Sequence, residues 1–426
     1  MKENKKIKVV WTCHFSNKEI NEKLPLKVRG LYAFLYRVFK GKSVSTEVPD
    51  FGVWNINALN EMKNFTDKVD LHIVAPYPHL EPKTYEFEED GIHYHFFRPS
   101  MVLVEKFISH FPVIYRLYRP AYKGNRSIIM SFLKKINPSI IHLVGAENPY
   151  YSLSGLDKPH GVKLIVQLQT LMSDPKFFSN YPIDKYTYYY RSEVEKAVIA
   201  QADYVGTTID EYRKIILKHI NHNAKFLDFK LAVGEKIKRI EVEKLYDFVY
   251  FARSISKAGD WAVESFIEAS KKKSGITLLV VGGYTQVEKE QYDKLLAEHG
   301  LFDNVTFTGE LPTHDDVLSS IAQARVALLP IKIDFIPGTI REANALGLPV
   351  VTSITDGTPL LNEKRRCALL SSGGDHQTMS DNMLQVLDNP ALAEELVQNS
   401  YIRLQEAYDN YSNIATWVEG YERISK

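Results

Sequence analysis

Short apolar runs alternate with stretches of helical periodicity along this whole chain, and this alternation limits the fold more than any other feature. Strands that are buried on both faces of a parallel sheet read as continuous runs of Val, Ile and Leu. The first half predicts six such strands, at residues 7–13, 69–75, 92–97, 139–143, 163–168 and 204–207. It predicts helices at residues 55–65, 112–135 and 193–202.

The second half repeats the alternation. Its predicted strands are residues 248–251, 276–281, 305–308, 326–330, 350–353 and 368–370. Its predicted helices are residues 261–273, 286–298, 315–323, 340–346, 377–387 and 391–407, and Thr313 with Asp316 has N-cap spacing at the third of them. Two successive runs predict an α/β chain with two Rossmann-like, doubly wound domains that face each other across a cleft.

The length of 426 residues suits two domains of this kind. We expect an N-terminal domain at residues 1–240 and a C-terminal domain at residues 245–410, with the seam in a charged segment at 235–244. A last helix at residues 411–426, which contains Trp417 and Tyr421, is predicted to pack back on the first domain.

Composition and missing motifs exclude several classes of protein. Lys and Arg number 53 against 52 Asp and Glu, which argues against nucleic acid as the main ligand. Two distant cysteines, Cys13 and Cys367, exclude a disulfide scaffold and a cysteine-based zinc site. The glycine fingerprints of dinucleotide and P-loop sites, the H-E-x-x-H and G-x-S-x-G motifs and an Asp-x-Asp pair are absent, so we expect no cofactor and no metal in the reaction. No apolar stretch suits a signal peptide or membrane span, which predicts a cytoplasmic protein.

The most informative stretch lies between two predicted buried strands, at residues 329–352. A strand ends there, and a short helix begins at Pro337-Gly338-Thr339. The N–H groups and the positive dipole end of such a helix favour phosphate oxygens. Two carboxylates, Asp334 and Glu342, flank this helix start, and carboxylates are good acceptors for paired sugar hydroxyls.

A simpler interpretation competes for both acids. Thr339 and Glu342 have capping-box spacing, and taken alone Glu342 is favoured as a cap over a ligand group. Asp334 taken alone is more often a solvated loop carboxylate.

The stretch nevertheless resembles the signature of retaining glycosyltransferases of the B-type fold. This large family includes glycogen and sucrose synthases and the group 1 transferases of bacterial polysaccharide and lipopolysaccharide synthesis. Its signature has two acids, separated by seven residues, ahead of a Gly-Leu-Pro-Val-Val strand. The resemblance implies that Glu342 contacts the ribose of the donor. It also implies that Asp334, one methylene shorter than the usual Glu, is the catalytic-site acid that positions the transferred sugar without acting as a nucleophile.

Three further motifs follow the family's order in the second half. Arg253 and Lys257 lie in a turn that resembles the one clamping the donor diphosphate, although Ala252 replaces its usual glycine. Taken singly, each motif is also a common structural turn or basic loop. Together they imply a donor site made of Arg253, Lys257, Gly283, Tyr284, Glu310, Leu311, Pro337, Gly338, Thr339 and Glu342.

The first half resembles the family only loosely. Gly52 matches a glycine of the acceptor loop, which implies a role in acceptor binding. Where many members have a His after a later strand, this chain has Gln167 and Gln169, and we take Gln169 as the catalytic partner from this domain. Three more polar residues follow strands and are candidates for the acceptor side, although a structural role is favoured for each: His14, Glu147 and His142.

Two basic, aromatic segments, at residues 26–42 and 101–135, suit an anionic membrane surface or a phosphorylated lipid carrier. They suit a pair of core helices with solvated basic faces equally well. An aromatic run at residues 177–190 is expected to pack on the core rather than on sugar rings.

The sequence therefore predicts a cytoplasmic retaining glycosyltransferase, with peripheral contact at the inner face of the membrane. It would use a nucleotide-diphosphate sugar donor, a saccharide or lipid-linked acceptor and no metal, in the synthesis of a bacterial surface polysaccharide. Two alternatives stay open: an epimerase or phosphorylase on the same fold, and a non-catalytic subunit that binds sugar nucleotides.

Overall fold

The computed structural model describes residues 6–27, 51–100, 122–174, 185–232, 237–254, 257–332, 336–355, 357–407 and 409–425. The chain divides into two compact units. One consists of Met1–Gly234 together with Asp409–Lys426, and the other of Glu235–Tyr408.

The first unit is built on an eight-stranded sheet in the order β3-β4-β2-β1-β5-β6-β7-β8. The strands are β1 Ile7–Thr12, β2 Val69–Pro76, β3 Thr84–Glu89, β4 Ile92–Phe97, β5 Ile140–Val144, β6 Lys163–Gln167, β7 Tyr204–Gly206 and β8 Phe226–Leu227. All neighbours pair in parallel except β3, which runs antiparallel to β4 at one edge. The strand order reverses at β1, which pairs with both β2 and β5.

Six described helices precede the second unit in the chain. They are α1 Lys18–Lys23, α2 Val53–Met62, α3 Lys123–Ile136, α4 Pro149–Ser152, α5 Lys185–Gln201 and α6 Asp210–His219. The six predicted strands of this half are confirmed. The prediction missed β3, β8, α1, α4 and α6, and it began α5 eight residues too late, at 193 instead of 185.

The second unit is a six-stranded, fully parallel sheet in the order β11-β10-β9-β12-β13-β14. Its strands are β9 Tyr246–Ser254, β10 Leu278–Gly283, β11 Val305–Gly309, β12 Ala324–Leu329, β13 Val350–Ser353 and β14 Ala368–Ser371. This is the doubly wound order, with its reversal between β9 and β12. Buried apolar clusters lie on both faces of the sheet, which explains why its strands read as continuous apolar runs.

The helices of this unit are α7 Gly259–Lys272, α8 Gln286–Glu298, α9 His314–Ile321, α10 Gly338–Ala345, α11 His376–Asp388 and α12 Pro390–Ala407. The six predicted strands and six predicted helices of this half are confirmed, within a few residues at their ends. The predicted cap of α9 is confirmed as a full capping box between Thr313 and Asp316. A second capping box, between Thr285 and Glu288, begins α8.

The last helix, α13 Asn410–Ser425, packs into the core of the first unit. Trp417 and Tyr421 are almost fully buried there beside Trp11 of β1. The indole N–H of Trp11 donates to the Tyr421 hydroxyl at 3.0 Å, and the indole N–H of Trp417 donates to the backbone oxygen of Lys230 at 3.1 Å. Both buried indoles are therefore satisfied.

The basic segments of the sequence fall largely on residues 28–50 and 101–121, which lie outside the described residues, as do residues 177–184 of the aromatic run. The described part of the second basic segment is α3. Its Ile128 and Phe132 are buried in the core while Lys134 and Lys135 are exposed, so this part is a core helix with a solvated basic face. None of the helices within the described ranges is long and apolar enough to cross a membrane.

Candidate functional site

The carboxyl ends of β11, β10, β9 and β12 lie side by side along one edge of the second sheet. In doubly wound sheets this edge, at the reversal of strand order, is where ligands bind. The predicted donor residues follow these four strands in turn, so the topology brings them to one edge. Asp334 and the side chain of Arg253 lie outside what the structure describes, and Lys257 is exposed in the loop after β9.

Helix α10 begins at this edge, directly after the loop that follows β12. Pro337 is its N-cap residue and makes no side-chain capping hydrogen bond. The N–H groups of Gly338 and Thr339 precede the first bond of the helix, which Ile340 donates to the backbone oxygen of Pro337 at 3.2 Å. The first N–H groups of a helix have no intrahelical acceptor, so these two point outward as donors.

The Glu342 carboxylate does not cap α10. The helix begins at Gly338, which places Thr339 inside it, so the capping-box interpretation of Thr339 and Glu342 is wrong. Glu342 Oε1 lies instead 3.2 Å from Nε2 of His314, the first residue of α9. The Glu342 side chain is 23% exposed. It is therefore an accessible acceptor near the helix start, with a histidine beside it.

The turns after β10 and β11 pack against each other. Gly309 ends β11 with φ 72°, a conformation that favours glycine. The Tyr284 ring, which follows Gly283 at the end of β10, lies edge-on to Phe307 with ring centroids 6.0 Å apart. Its hydroxyl is 3.7 Å from where a Cβ on Gly309 would lie. Glu310 is exposed and Leu311 half-buried just beyond this contact.

Lys332 is a cation of this edge that the sequence analysis did not single out. It follows β12 by three residues and forms an ion pair with Asp260 in the first turn of α7. Its ammonium lies 5.3 Å from the ring centroid of Trp261. Lys332 follows β12, and Asp260 and Trp261 follow β9. These two strands are the pair at which the strand order reverses. The position of Lys332 in the loop between β12 and α10 was the feature of the sequence that could have identified it.

His14 follows the last residue of β1 by two positions, where the first sheet reverses its strand order. Its Nδ1 lies 2.5 Å from the Tyr150 hydroxyl, and its ring centroid lies 4.8 Å from that of Phe51. Burial lowers the pKa of His14 to about 4, so the imidazole is neutral at pH 7. Nε2 is buried and has no hydrogen-bond partner among the described residues.

Gly52 holds the loop before α2 against the end of β1. Its φ is 67°, and a Cβ there would lie 2.5 Å from the backbone oxygen of His14. Two backbone hydrogen bonds of 2.9 Å join Phe51 and Ser16, and the Asn55 side-chain amide donates to the His14 oxygen at 3.2 Å. Only glycine fits this close approach without strain.

Glu147 lies three residues beyond β5, the neighbour of β1. Burial raises the pKa of its carboxyl above the usual value. The Asn148 amide donates to Glu147 Oε1 at 2.9 Å. A Cβ on Gly145 would lie 3.2 Å from Glu147 Oε2 and 2.7 Å from the Tyr151 hydroxyl, so the carboxylate is folded closely over this turn. The topology thus brings His14, Gly52 and Glu147 to the same edge of the first sheet.

The two glutamines at the end of β6, which pairs with β5, lie in different surroundings. Gln167 is buried within β6, and its amide donates to the backbone oxygen of Phe229 at 3.0 Å, so it is a core residue. Gln169 lies two residues past the strand and is half-buried. His142 is fully buried in β5, with Nδ1 2.6 Å from the Tyr421 hydroxyl. It faces the core beneath α13 and not the sheet edge.

Two doubly wound parallel sheets on one chain define the fold of B-type glycosyltransferases, as predicted, and a solved structure agrees. The chain is similar to sucrose-phosphate synthase from Thermosynechococcus elongatus, with a TM-score of 0.63 at 15% identity over 98% of this chain and 99% of that one. At this identity the likeness concerns the fold alone.

The sequence comparisons match the second unit to a known family. Residues 246–389 match the family described as glycosyl transferases group 1, so the predicted resemblance is confirmed and the second unit carries a group 1 glycosyltransferase domain. A Mycobacterium tuberculosis protein named GDP-mannose-dependent alpha-(1-6)-phosphatidylinositol monomannoside mannosyltransferase is 27% identical over 37% of this chain and 42% of its own length. An amylovoran biosynthesis glycosyltransferase from Erwinia amylovora is 25% identical over 41% of this chain and 44% of its own. The matches thus span less than half the length of these curated relatives.

Proposed function

We propose that this chain is a retaining glycosyltransferase that moves a sugar from a nucleoside diphosphate donor to a saccharide or lipid-linked acceptor without an essential metal. The observation that carries the proposal is the extent of the family match, because residues 246–389 include every residue of the predicted donor site. The accessible position of the Glu342 carboxylate, which lies beside His314 and does not cap α10, supports it independently.

The donor site is proposed to act mainly by matching charge. A departing nucleoside diphosphate is a stable anion when cations and N–H groups surround it. Arg253 and Lys257 would supply the cations, and the N–H groups of Gly338 and Thr339 would supply donors at the positive end of α10. Glu342 would accept hydrogen bonds from the ribose hydroxyls.

The transferred sugar gains oxocarbenium character as its bond to the diphosphate breaks, and the acceptor hydroxyl attacks from the same face. Asp334 is proposed to position the hydroxyls of this sugar, with Gln169 as the polar partner from the first unit. The neutral imidazole of His14, whose Nε2 lacks a described partner, suits an acceptor hydroxyl. Gly52 and Glu147 lie at the same sheet edge and complete the proposed acceptor group.

The names of the two curated relatives favour a bacterial surface polysaccharide or glycolipid as the product. On this proposal the acceptor is a saccharide or lipid-linked saccharide, used at the cytoplasmic face of the membrane. The exposed lysines at the end of α3 offer basic charge for peripheral contact with anionic lipid.

A matched pair of variants tests the role of Glu342. Glu342→Ala should weaken the binding of both nucleoside and nucleoside diphosphate by about tenfold or more, since hydrogen bonds to a charged group contribute about 1.5–3 kcal/mol. Its melting temperature should stay near that of the parent, because the carboxylate is not a cap. Glu288→Ala, which breaks the capping box of α8, should do the reverse and lower stability without changing affinity.

The measurements are calorimetric titration with UDP, GDP, ADP and CDP and the matching nucleosides, with EDTA present, and thermal unfolding of each variant. A loss of stability in Glu342→Ala with unchanged affinity would contradict the ribose role. Arg253→Ala should weaken the diphosphates selectively, and an equal loss for nucleoside and diphosphate would contradict the proposed clamp.

Turnover is measured with a sugar nucleotide that carries the base found to bind in the titrations. The quantity measured is the release of nucleoside diphosphate. Transfer requires that release depend on an added saccharide or lipid-linked acceptor. It also requires that the product keep the donor's anomeric configuration by NMR. Release that is independent of any acceptor, or an inverted product, would overturn the proposal.

A further inference from the structure

A cluster of histidines and acids lies on one face of the first sheet, outside the proposed acceptor group. Asp70 and His72 alternate along β2, and His93 and His95 alternate along β4. Residues two apart in a strand point to the same face, and the parallel register pairs His72 with His93 and Val74 with His95. The cluster begins at the second residue of each strand, near the amino ends, whereas the acceptor candidates follow the carboxyl ends.

Three polar atoms converge in this cluster. Asp70 Oδ1 lies 3.3 Å from Nε2 of His72 and 3.3 Å from Nε2 of His93. The three ligand atoms all lie within 4.8 Å of one another. For bond lengths of about 2.1 Å, ligands of a tetrahedral ion lie about 3.4 Å apart, so two of the three separations already fit such an ion.

The hydrogen bonds behind His72 determine which of its nitrogens carries the proton. Nδ1 of His95 lies 2.7 Å from Glu86 Oε2, and because a carboxylate only accepts, His95 must donate from Nδ1. In the tautomer that matches this bond, Nε2 of His95 accepts the proton of His72 Nδ1 at 3.0 Å. This leaves a bare lone pair on Nε2 of His72.

No hydrogen-bond donor faces that lone pair among the described residues. Nε2 of His72 is buried and makes no hydrogen bond among the described residues, and the residue is 9% exposed. A lone pair therefore faces the Asp70 carboxylate at 3.3 Å, an arrangement that is repulsive unless a cation lies between them.

His93 repeats the pattern from the next strand. Its Nδ1 lies 3.3 Å from Glu88 Oε2, which directs its Nε2 to Asp70. Lys8 also approaches Asp70, with Nζ 3.8 Å from the other carboxylate oxygen, Oδ2, and so leaves Oδ1 to the two imidazoles. Lys135 pairs with Glu86 behind His95.

We propose that Asp70, His72 and His93 bind one divalent transition-metal ion, with zinc as the preferred member of the class. Two imidazole nitrogens and one carboxylate oxygen are a standard zinc donor set, and a water completes the fourth position. The second shell is in place, because His72 is backed by His95 and Glu86, and His93 by Glu88. Side-chain exposures of 26% for Asp70 and 33% for His93 give the ion an entry path.

The ion would act as a cross-link between β2 and β4 and not in sugar transfer. It would hold together two neighbouring strands near the edge of the first sheet, where β3 is the last strand. The proposal thus stands independently of the proposed function, and chelation should leave nucleoside diphosphate binding unchanged.

The test uses the full chain without a polyhistidine tag, dialysed against EDTA and then freed of it. Zinc chloride is titrated by calorimetry and by competition with a chromogenic chelator, and cobalt(II) provides a visible spectrum that reports tetrahedral coordination. We expect one equivalent of zinc, and a rise in melting temperature with zinc. His93→Ala and Asp70→Asn should each weaken binding by more than about 100-fold, and Glu88→Gln by about 10–100-fold as a second-shell change.

His222→Ala is the matched control, because this exposed histidine lies outside the cluster, and it should bind zinc like the parent. The half-buried His93 and Asp70 are changed in preference to the buried His72, so that the variants fold; equal melting temperatures without metal check this. Failure of the parent to bind zinc or cobalt, or binding that His93→Ala and Asp70→Asn leave intact, would overturn the proposal. Loss of affinity equally in His222→Ala would do the same.

Discussion

Gly420 offers a test in which a usual rule of helix stability should reverse its sign. It lies in the interior of α13, where replacing Gly by Ala ordinarily stabilises a helix by about 1 kcal/mol. A Cβ at Gly420, however, would lie 2.6 Å from Cζ and 2.7 Å from Cε1 of Phe229. These are ring atoms, so the clash is relieved only if the whole ring moves.

The Phe229 ring has little room to move. It is 2% exposed and stacks on Trp417 at a centroid distance of 5.3 Å, with His142 at 5.7 Å and Tyr421 at 6.0 Å. Overpacking a core of this density costs about 1–3 kcal/mol. After subtraction of the helix term, we expect Gly420→Ala to lower the free energy of unfolding of the first unit by up to about 2 kcal/mol.

The control experiment removes the Phe229 ring with which the new Cβ would clash. In a Phe229→Leu background the smaller side chain vacates the ring position, and Gly420→Ala should then stabilise by up to about 1 kcal/mol. The assay is urea unfolding followed by tryptophan fluorescence in a Trp261→Phe parent. Of the four tryptophans, the remaining three belong to the first unit, so the signal reports that unit alone. A more stable Gly420→Ala with Phe229 intact, or the same effect in both backgrounds, would refute the packing argument.

Two further predictions concern the first unit. Gly52→Ala should destabilise it by about 2 kcal/mol and weaken acceptor use more than donor binding, because the new Cβ meets the His14 oxygen at 2.5 Å with φ 67°; unchanged acceptor kinetics would contradict the placement of this loop. Burial lowers the pKa of His142 from 6.5 to about 3, so between these values the unfolded chain binds more protons and stability falls as pH falls. This residue alone should cost about 2 kcal/mol between about pH 7.5 and about pH 5. Urea titrations of the parent and His142→Gln measure it, and equal slopes in both would contradict the assignment.

The sequence was most informative where burial is uniform. The strands of both sheets read as continuous apolar runs because helices cover both of their faces, and all twelve predicted strands are present. β3 was missed because it is an edge strand with alternating exposure and the polar sequence TYEFEE. β8 has two residues and α6 has one buried residue, so neither carries a pattern long enough to detect.

The sequence predicted which residues share a sheet edge at the candidate site, because that depends only on the order of strands and motifs along the chain. Strand order places the residues after β9 to β12 at one sheet edge, and the motifs identified them in sequence. Side-chain geometry was not accessible in this way. Spacing taken alone favoured Glu342 as a cap, whereas the structure begins α10 two residues earlier than that box requires and places the carboxylate beside His314. The sequence analysis took Gln169 over Gln167 as the catalytic partner, and only the fold shows that Gln167 is buried in the core.

The return of α13 to the first unit has a consequence for synthesis. A ribosome releases the chain from its amino end, so the second unit has fully emerged before the helix that completes the first. Until then, the nascent first unit exposes the apolar surface of Trp11 and Phe229 that Trp417 and Tyr421 later cover. Removal of α13 therefore damages a unit whose sheet is encoded far upstream, and translation must pass Tyr421 before either buried indole finds its partner.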